Sequence, residues 1–460
     1  MTNPHLPLDQ KILGDIYSSR EAMDNLEILC DDFGSRFGGT KGEKLAADFI
    51  KAKFEEYGLS NIHLEAFDYL GWERGEVTLN IISPIQKTIS CITLPLSPPV
   101  NVEGEIFDIG VGAPKDFDAK SDEIKGKFLM TNSELYPKGS KRWIHRNEKY
   151  GRSLLAGATG FIFVNHYPGY GPATGGVGYQ GKAGIIPAIS ISMEDGAFIQ
   201  RLAKRKGTVK IHLKSNDKLL PKTSWNIIGD IVGTEKPAEI IMLGSHYDGH
   251  DISQGASDPA SGVASVMEAA RVLAKESHPR TIRFAMWGVE EIGLLGSNAY
   301  VQTHKSDLDK IRFYLNMDSA GGMPTKDINL HEWHELQSTF ESFREEMAQD
   351  FAIGQTFHSA SDHYPFLLKG VITGGIESVR QTRSGRGYGH TKYDTVDKVT
   401  ILGLRDAASL AARIALRVAR AEDWSATPRD AKAVEDLLNQ PSLVEIQRFR
   451  QRMESFFTKR

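Results

Sequence analysis

EIIMLGSHYD (residues 239–248), ASGVASVMEAARVLAKE (260–276), TIRFAMWG (281–288), LLGSNAYVQTH (294–304) and IRFYLNMD (311–318) decide the fold. The first, third and fifth read as short buried strands, and the second and fourth as helices with apolar residues at helical spacing. Strands alternating with helices imply a largely parallel sheet covered on both faces, with any site beyond the carboxyl ends of the strands. Working outward, NIIGDIVG (226–233) and VITGGIES (371–378) add strands, while TFESFREEMAQDF (339–351) and the stretch 400–422 add helices. Upstream, two helices between residues 8 and 58 flank the turn FGSRFGGT (33–40), with Thr40 placed to cap LAADFIKAKFEEYG (45–58). Three strand-like runs follow, NIHLEAFDYL, EVTLNIIS and TISCITLP.

Prolines and glycines crowd at LSPPVNVEG (96–104), and the texture changes again at NDKLLPKTSW (216–225). These crossings predict residues 1–99 as the first part of an α/β domain, 100–220 as a strand-rich insertion, and 221–460 as its second part. The charged C-terminal stretch 428–457 reads as helical, a packing appendage or homodimer contact without chemistry of its own. At 460 residues the chain can bury a large core, and its 40% hydrophobic and 25% charged content exclude a disordered or fibrous protein. A formal charge of -4 offers no bulk attraction for nucleic acid or anionic lipid. Two cysteines, Cys30 and Cys91, are too few for a disulfide scaffold. The N-terminus lacks the basic and apolar pattern of a secretory signal and no apolar run spans a membrane, so the chain reads as cytoplasmic.

The chemistry sits at the ends of the strands. EIIMLGSHYD delivers His246 and Asp248, TIRFAMWGVEE delivers Glu290 and Glu291, IRFYLNMD delivers Asp318, and SQGASDPASG places Asp258 just before a helix. Burying so many ionisable groups is costly unless they are paired or bind cations. Imidazole and carboxylate without thiolate is a ligand set for zinc, with Mn2+ or Co2+ as substitutes. Three carboxylates, Asp258, Glu291 and Asp318, with one bridging hydroxide balance two divalent ions. A water between two metals loses its proton near neutral pH, which points to hydrolysis. In an extended segment Glu290 and Glu291 point to opposite sides, so one ligates while the other moves protons as general base then acid; spacing leaves open which.

HYD, GASDPASGVA, WGVEEIGLLGS, NMDS and GHTKYDTVD (389–397), in that order, closely resemble the motifs of the co-catalytic di-zinc exopeptidases, metallopeptidase family 28. The resemblance covers 226–399 and the N-terminal GSRFGGTKGEKLAADFI. GKFLM, AGATGFIFV and IPAISISMEDG between the halves resemble a protease-associated domain, and with WERGE (72–76) the whole is most similar to the carboxypeptidase Q branch. It implies a mixed, mostly parallel α/β sheet sandwiched by helices, the phosphorylase/hydrolase-like fold of zinc exopeptidases, with that domain inserted. It implies His246 and Asp318 on one zinc, Glu291 and His390 on the other, Asp258 bridging them, and Glu290 as general base. Asp248 would accept the second ring N–H of His246 and fix its tautomer; ligation is its alternative role. The expected activity is hydrolysis of terminal peptide bonds of short peptides or dipeptides. A non-catalytic receptor-like member of the fold and a single-zinc glutaminyl cyclase-like acyltransferase are the alternatives, and the full ligand set argues against both. Pro259, where the family has Asp or Asn, predicts a cis Asp258–Pro259 bond.

Other signals carry less. HEWHE (331–335) spaces its histidines three apart, not the four of a zincin helix. Gly176, Gly178 and Gly181 precede a strand, whereas a dinucleotide fingerprint opens a helix. No GxSxG elbow supports a serine hydrolase. His250 and Asp251 read as loop or supporting residues, and Asp362 and His363 as core or cap residues that in relatives line the cleft. Tyr388 and Tyr364 are rival oxyanion donors. Arg380, Arg383 and Arg386 are candidates to clamp a substrate carboxylate, with a solvated loop as the plainer reading.

Overall fold

The computed structural model describes residues 3–137, 142–380 and 387–458. The chain divides into two compact units, Met1–Asp68 with Thr223–Val434, and Tyr69–Lys222 with Glu435–Arg460.

The first unit is built on an eight-stranded mixed sheet. Its spatial order is Ser60–Glu73, Lys218–Ile231, Arg280–Trp287, Lys236–His246, Ile311–Asn316, Thr373–Glu377, Asp327–Asn329, Ile353–Gly354. The central strands are parallel: His246 lies opposite Trp287, Gly244 opposite Asn316, and Tyr314 opposite Thr373. Parallel pairing therefore sends the residues after His246, Trp287 and Asn316 out at one end of the sheet. Antiparallel neighbours flank this centre, Lys218–Ile231 against Arg280–Trp287 and Asp327–Asn329 against Thr373–Glu377.

The helices Ser261–Leu273 and Ile401–Arg420 bury Val263, Ala264, Met267, Leu404, Ala408 and Ala412 in the same core. Small residues let these helices approach closely, and Gly262 is the extreme case. A Cβ there would stand 1.8 Å from the carbonyl oxygen of Asp318 and 2.0 Å from that of Met317. At the chain start, the helix Lys41–Glu56 is capped by Thr40, whose side chain accepts the Glu43 N–H, as the sequence predicts. The predicted pair of helices is three, Leu6–Ser18, Glu21–Glu27 and Lys41–Glu56.

The second unit holds another eight-stranded sheet, ordered Lys87–Ile89, Val77–Ser83, Lys210–Ser215, Val100–Gly110, Phe128–Asn132, Gly160–Val164, Ala188–Ile191, Cys91–Thr93. Here the structure corrects the expected boundaries. Val77–Ser83 pairs with Lys210–Ser215, Leu79 opposite Leu213, and Cys91–Thr93 pairs with Ala188–Ile191, Ile92 opposite Ser190. Leu79, Ile81 and Ile89 are buried with Phe128, Ile189 and Leu213. The crossing thus falls at 68/69, not 99/100, and the prolines at 98 and 99 lie within the unit. The C-terminal helix Val444–Thr458 belongs here too: Phe449 and Met453 pack with Tyr150 and Leu154, and Glu445 pairs with Arg152 at 3.0 Å. Among the described residues no helix is long and apolar enough to cross a membrane.

Candidate metal centre

His246 ends its strand fully buried, and its Nε2 faces two carboxylates, Asp258 Oδ1 at 3.3 Å and Asp318 Oδ1 at 3.2 Å. The other oxygen of Asp258 turns the opposite way, 3.4 Å from His390 Nε2. His390 Nε2 also lies 3.8 Å from Glu291 Oε2. The five predicted ligands are therefore brought together, with Asp258 between two imidazoles. The Asp258–Pro259 bond is cis.

His250, expected in a supporting role, enters the cluster directly. Its Nε2 lies 2.8 Å from Glu291 Oε2 and 3.2 Å from His390 Nδ1. Within this cluster, two groups of described residues have the spacing to hold a cation, His246, Asp258 and Glu291, and His250, Glu291 and His390. Asp251 sits in the turn that follows.

Asp248 departs from its expected contact. The main-chain carbonyl of Asp248, not its carboxylate, meets His246 Nδ1 at 3.0 Å, while the nearest carboxylate oxygen stands off at 3.7 Å. A carbonyl only accepts, so this contact puts a proton on Nδ1 and makes Nε2, facing the acids, the nitrogen that can ligate once it gives up its own proton. The Asp248 carboxylate instead accepts the backbone N–H groups of Glu290 at 2.8 Å and Glu291 at 3.3 Å. The reason is local: the strand stops at Trp287 and the chain turns at Val289, whose φ is 58°. The two glutamates leave a tight turn whose N–H groups point at Asp248, not an extended segment.

The electrostatics follow from crowding buried acids. Burial pushes Glu290 well above the usual carboxylate range, against the pull of His246, with Glu291, Asp362 and Asp318 adding to the rise. Burial likewise pushes Glu291 up to about 8, opposed by His390 and reinforced by Asp258. Burial works against a charged His246 ring, but Asp318 and Glu290 outweigh it and hold its pKa well above the ordinary imidazole value. Asp258 goes the other way: burial would raise it, yet His246 and His390 keep it well below the carboxylate range. Glu291 Oε1 is buried with no hydrogen-bond partner. Repelling carboxylates, neutral-capable imidazoles and an orphaned buried oxygen together fit divalent cations, whose charge removes the repulsion.

Three positioning residues escaped the sequence reading. Asp394 accepts the N–H groups of Ser257 at 2.8 Å and Asp258 at 3.1 Å. Arg36, fully buried, donates to the carbonyls of Leu29, Gly34, Tyr247, Gln254 and Gly255, tying the N-terminal turn to the loops that carry His246 and Asp258. Ser361 donates to Asp318 Oδ2 at 2.7 Å and ends a relay from Trp287 Nε1 through Tyr314 and Asn316. Indole N–H is a donor only, which fixes the direction of every bond in that relay. Asp394 and Arg36 lie inside quoted motifs, GHTKYDTVD and GSRFGGT, and a buried charge in a turn was the available signal.

Other candidates stay apart. Asp362 is buried beside the cluster and pushed up to about 7 by that burial. Arg380 is taken up by Asp327 at 2.7 Å and Asp350 at 2.8 Å; Arg383 and Arg386 lie outside the described residues. Tyr364 sets its ring edge-on to Phe357, and the Tyr388 carbonyl accepts the Thr391 hydroxyl at 2.6 Å. Of HEWHE, His334 is largely exposed whereas His331 is fully buried.

Residues 226–415 match the model of peptidase family M28. Carboxypeptidase Q of Mus musculus is 28% identical over 317 residues, 67% of this chain and 67% of its own length, so the match spans about two thirds of each. Aminopeptidase YwaD of Bacillus subtilis is 28% identical over 410 residues, 86% of this chain and 83% of its own. A solved peptidase M28 precursor from Shewanella amazonensis superposes with a TM-score of 0.78 at 24% identity, covering 92% of this chain and 98% of its own. A zinc aminopeptidase from Bacillus subtilis gives 0.68 at 24% identity, covering 90% and 98%.

Proposed function

We propose that the protein, whose residues 226–415 match the model of peptidase family M28, is a zinc-dependent exopeptidase that hydrolyses the terminal peptide bond of short peptides or dipeptides. The observation that carries this is the Asp258 carboxylate, one oxygen toward His246 and the other toward His390. His246 and Asp318 would hold one ion, Glu291 and His390 the other, with Asp258 shared and His250 beside Glu291. Ions bound by these residues would supply Lewis acidity for the scissile carbonyl and lower the pKa of a bound water.

The chain's own residues do the rest. Glu290 takes the proton of the attacking water and returns it to the leaving amine nitrogen, a role suited to a carboxyl whose environment raises its pKa. Asp248 fixes the turn that aims Glu290 and Glu291, by holding both their N–H groups. The His246 tautomer is set by the Asp248 carbonyl, which keeps Nε2 free to ligate. Ser361 and Asp394 orient the carboxylates of Asp318 and the main chain of Asp258, so ligand geometry is in place before substrate arrives.

Relatives named carboxypeptidase Q and aminopeptidase YwaD support a terminal cut without choosing the end. A panel of free dipeptides, N-blocked dipeptides, C-amidated dipeptides and an aminoacyl anilide decides it, read with and without chelator. We expect hydrolysis of at least one unblocked substrate, its loss on chelation, and a drop of roughly 10²–10⁴-fold in Glu290→Gln with metal content unchanged. Turnover equal to wild type in Glu290→Gln, or no hydrolysis by zinc-loaded protein across the panel, would overturn the reading.

A further inference from the structure

Beyond the peptidase centre lies a second buried cluster. His331 follows the strand Asp327–Asn329, His363 opens the helix His363–Leu367, His358 lies in the segment between, and Glu377 ends the strand Thr373–Glu377. The φ angles of His331 and Glu332, 48° and 69°, make a left-handed turn, and the His331 ring is fully buried. One ligating atom from each of His331, His358 and His363 lies within 4.8 Å of the others. The rings stand 3.8 Å (His331 and His363), 4.3 Å (His358 and His363) and 5.2 Å (His331 and His358) apart, centroid to centroid.

Hydrogen bonds fix which nitrogens are free. His363 Nε2 meets the carbonyl of His358 at 3.1 Å; a carbonyl only accepts, so Nε2 carries the proton. His358 Nε2 meets Glu377 Oε1 at 2.8 Å, and His331 Nε2 meets the same oxygen at 3.0 Å. Thr373 Oγ1 faces His331 Nδ1 at 3.1 Å. That leaves Nδ1 of His358 and Nδ1 of His363, both buried with no hydrogen-bond partner. With its proton on Nε2, the neutral His363 ring presents a lone pair at Nδ1. A purely structural hydrogen-bonded core would have supplied donors to these two atoms, since unsatisfied buried nitrogens are costly. A cation satisfies both at once. Glu377 is already oriented, its other oxygen accepting Asn329 Nδ2 at 3.0 Å.

We propose that Nδ1 of His358 and Nδ1 of His363 hold a further divalent cation, sharing no ligand with the centre at Asp258, with Glu377 and His331 orienting the His358 ring. Imidazole nitrogens suit zinc or another borderline divalent ion. Ser361, which holds Asp318, lies between His358 and His363, so an ion here pins the segment that positions a ligand of the peptidase centre.

The test is a zinc count on the full-length chain, stripped with chelator, reloaded with zinc ions and freed of excess. The expected result is one zinc fewer per chain in His358→Gln and in His363→Asn than in wild type. His358, with its side chain 19% exposed, is the variant whose folding is safest. In Asp258→Asn/Glu291→Gln, which disables the peptidase centre, one zinc should persist and be lost on adding His358→Gln. Equal counts in wild type and folded His358→Gln would overturn the site. Peptide hydrolysis does not enter the count, so failure of the peptidase reading and failure of this site are read separately.

Discussion

Asp394 holds the N–H of Asp258 from 136 residues away in sequence, and that distance explains what the sequence concealed at the scale of single residues. The candidate ligands stand out in the sequence because acids and histidine at the ends of buried strands are costly without cations, which is visible from residue type and pattern. Their positioning partners do not, because a buried aspartate or arginine in a loop has no local signature. Arg36 reaches Gly255 across 219 residues, and Ser361 reaches Asp318 across 43. Asp248 shows the subtler failure: its place beside His246 was read correctly, but whether carboxylate or carbonyl makes the contact depends on a turn the sequence does not announce. Asp394→Asn keeps one acceptor but sets an amide N–H against a backbone N–H. Zinc affinity, measured by competition with a chelator, should fall roughly 10–100-fold with the fold intact; an unchanged affinity would remove Asp394 from the site.

Elements carry the next layer. Alternation of strand and helix from 226 to 318 predicted the parallel centre, and the register delivers His246, Glu291 and Asp318 to one end of the sheet. The segment after Trp287 is not extended as the sequence predicts, since Val289 takes a left-handed φ of 58° that a β-branched residue adopts at a cost of roughly 1–2 kcal/mol. The two Asp248 hydrogen bonds offset that cost by holding the turn that follows. The helix Ser261–Leu273 reaches the Asp318 loop only because residue 262 has no side chain. Gly262→Ala should displace that loop and lower kcat/KM by about 10²-fold while far-UV circular dichroism stays unchanged. Wild-type kinetics in this variant would show that the loop yields without moving the ligand.

At the scale of the whole molecule, the insertion was legible but its edges were not. Prolines 98 and 99 mark a loop, whereas the boundary is set by which strands pair, and Leu79 finds Leu213 only in three dimensions. The first unit is closed across its length by Asp9, which meets Arg417 Nη2 at 2.8 Å and Arg413 Nε at 3.1 Å. Burial would raise Asp9, but the two arginines hold its pKa down to about 2. Its stabilising effect is therefore complete above the ordinary aspartate pKa near 4 and is lost as pH falls through about 2. In urea unfolding, wild type should exceed Asp9→Asn by ~3 kcal/mol at neutral pH, and the gap should narrow by ~2 kcal/mol between pH 4 and 2. A gap independent of pH would show that the pairing does not act through charge. The central claim, two ions sharing Asp258, is tested most directly by anomalous diffraction at the zinc edge from crystals of the zinc-loaded protein. Two peaks flanking the Asp258 carboxylate are predicted, one against His246 and Asp318 and the other against Glu291 and His390. A single peak there, or two that leave Asp258 unligated, would contradict the account.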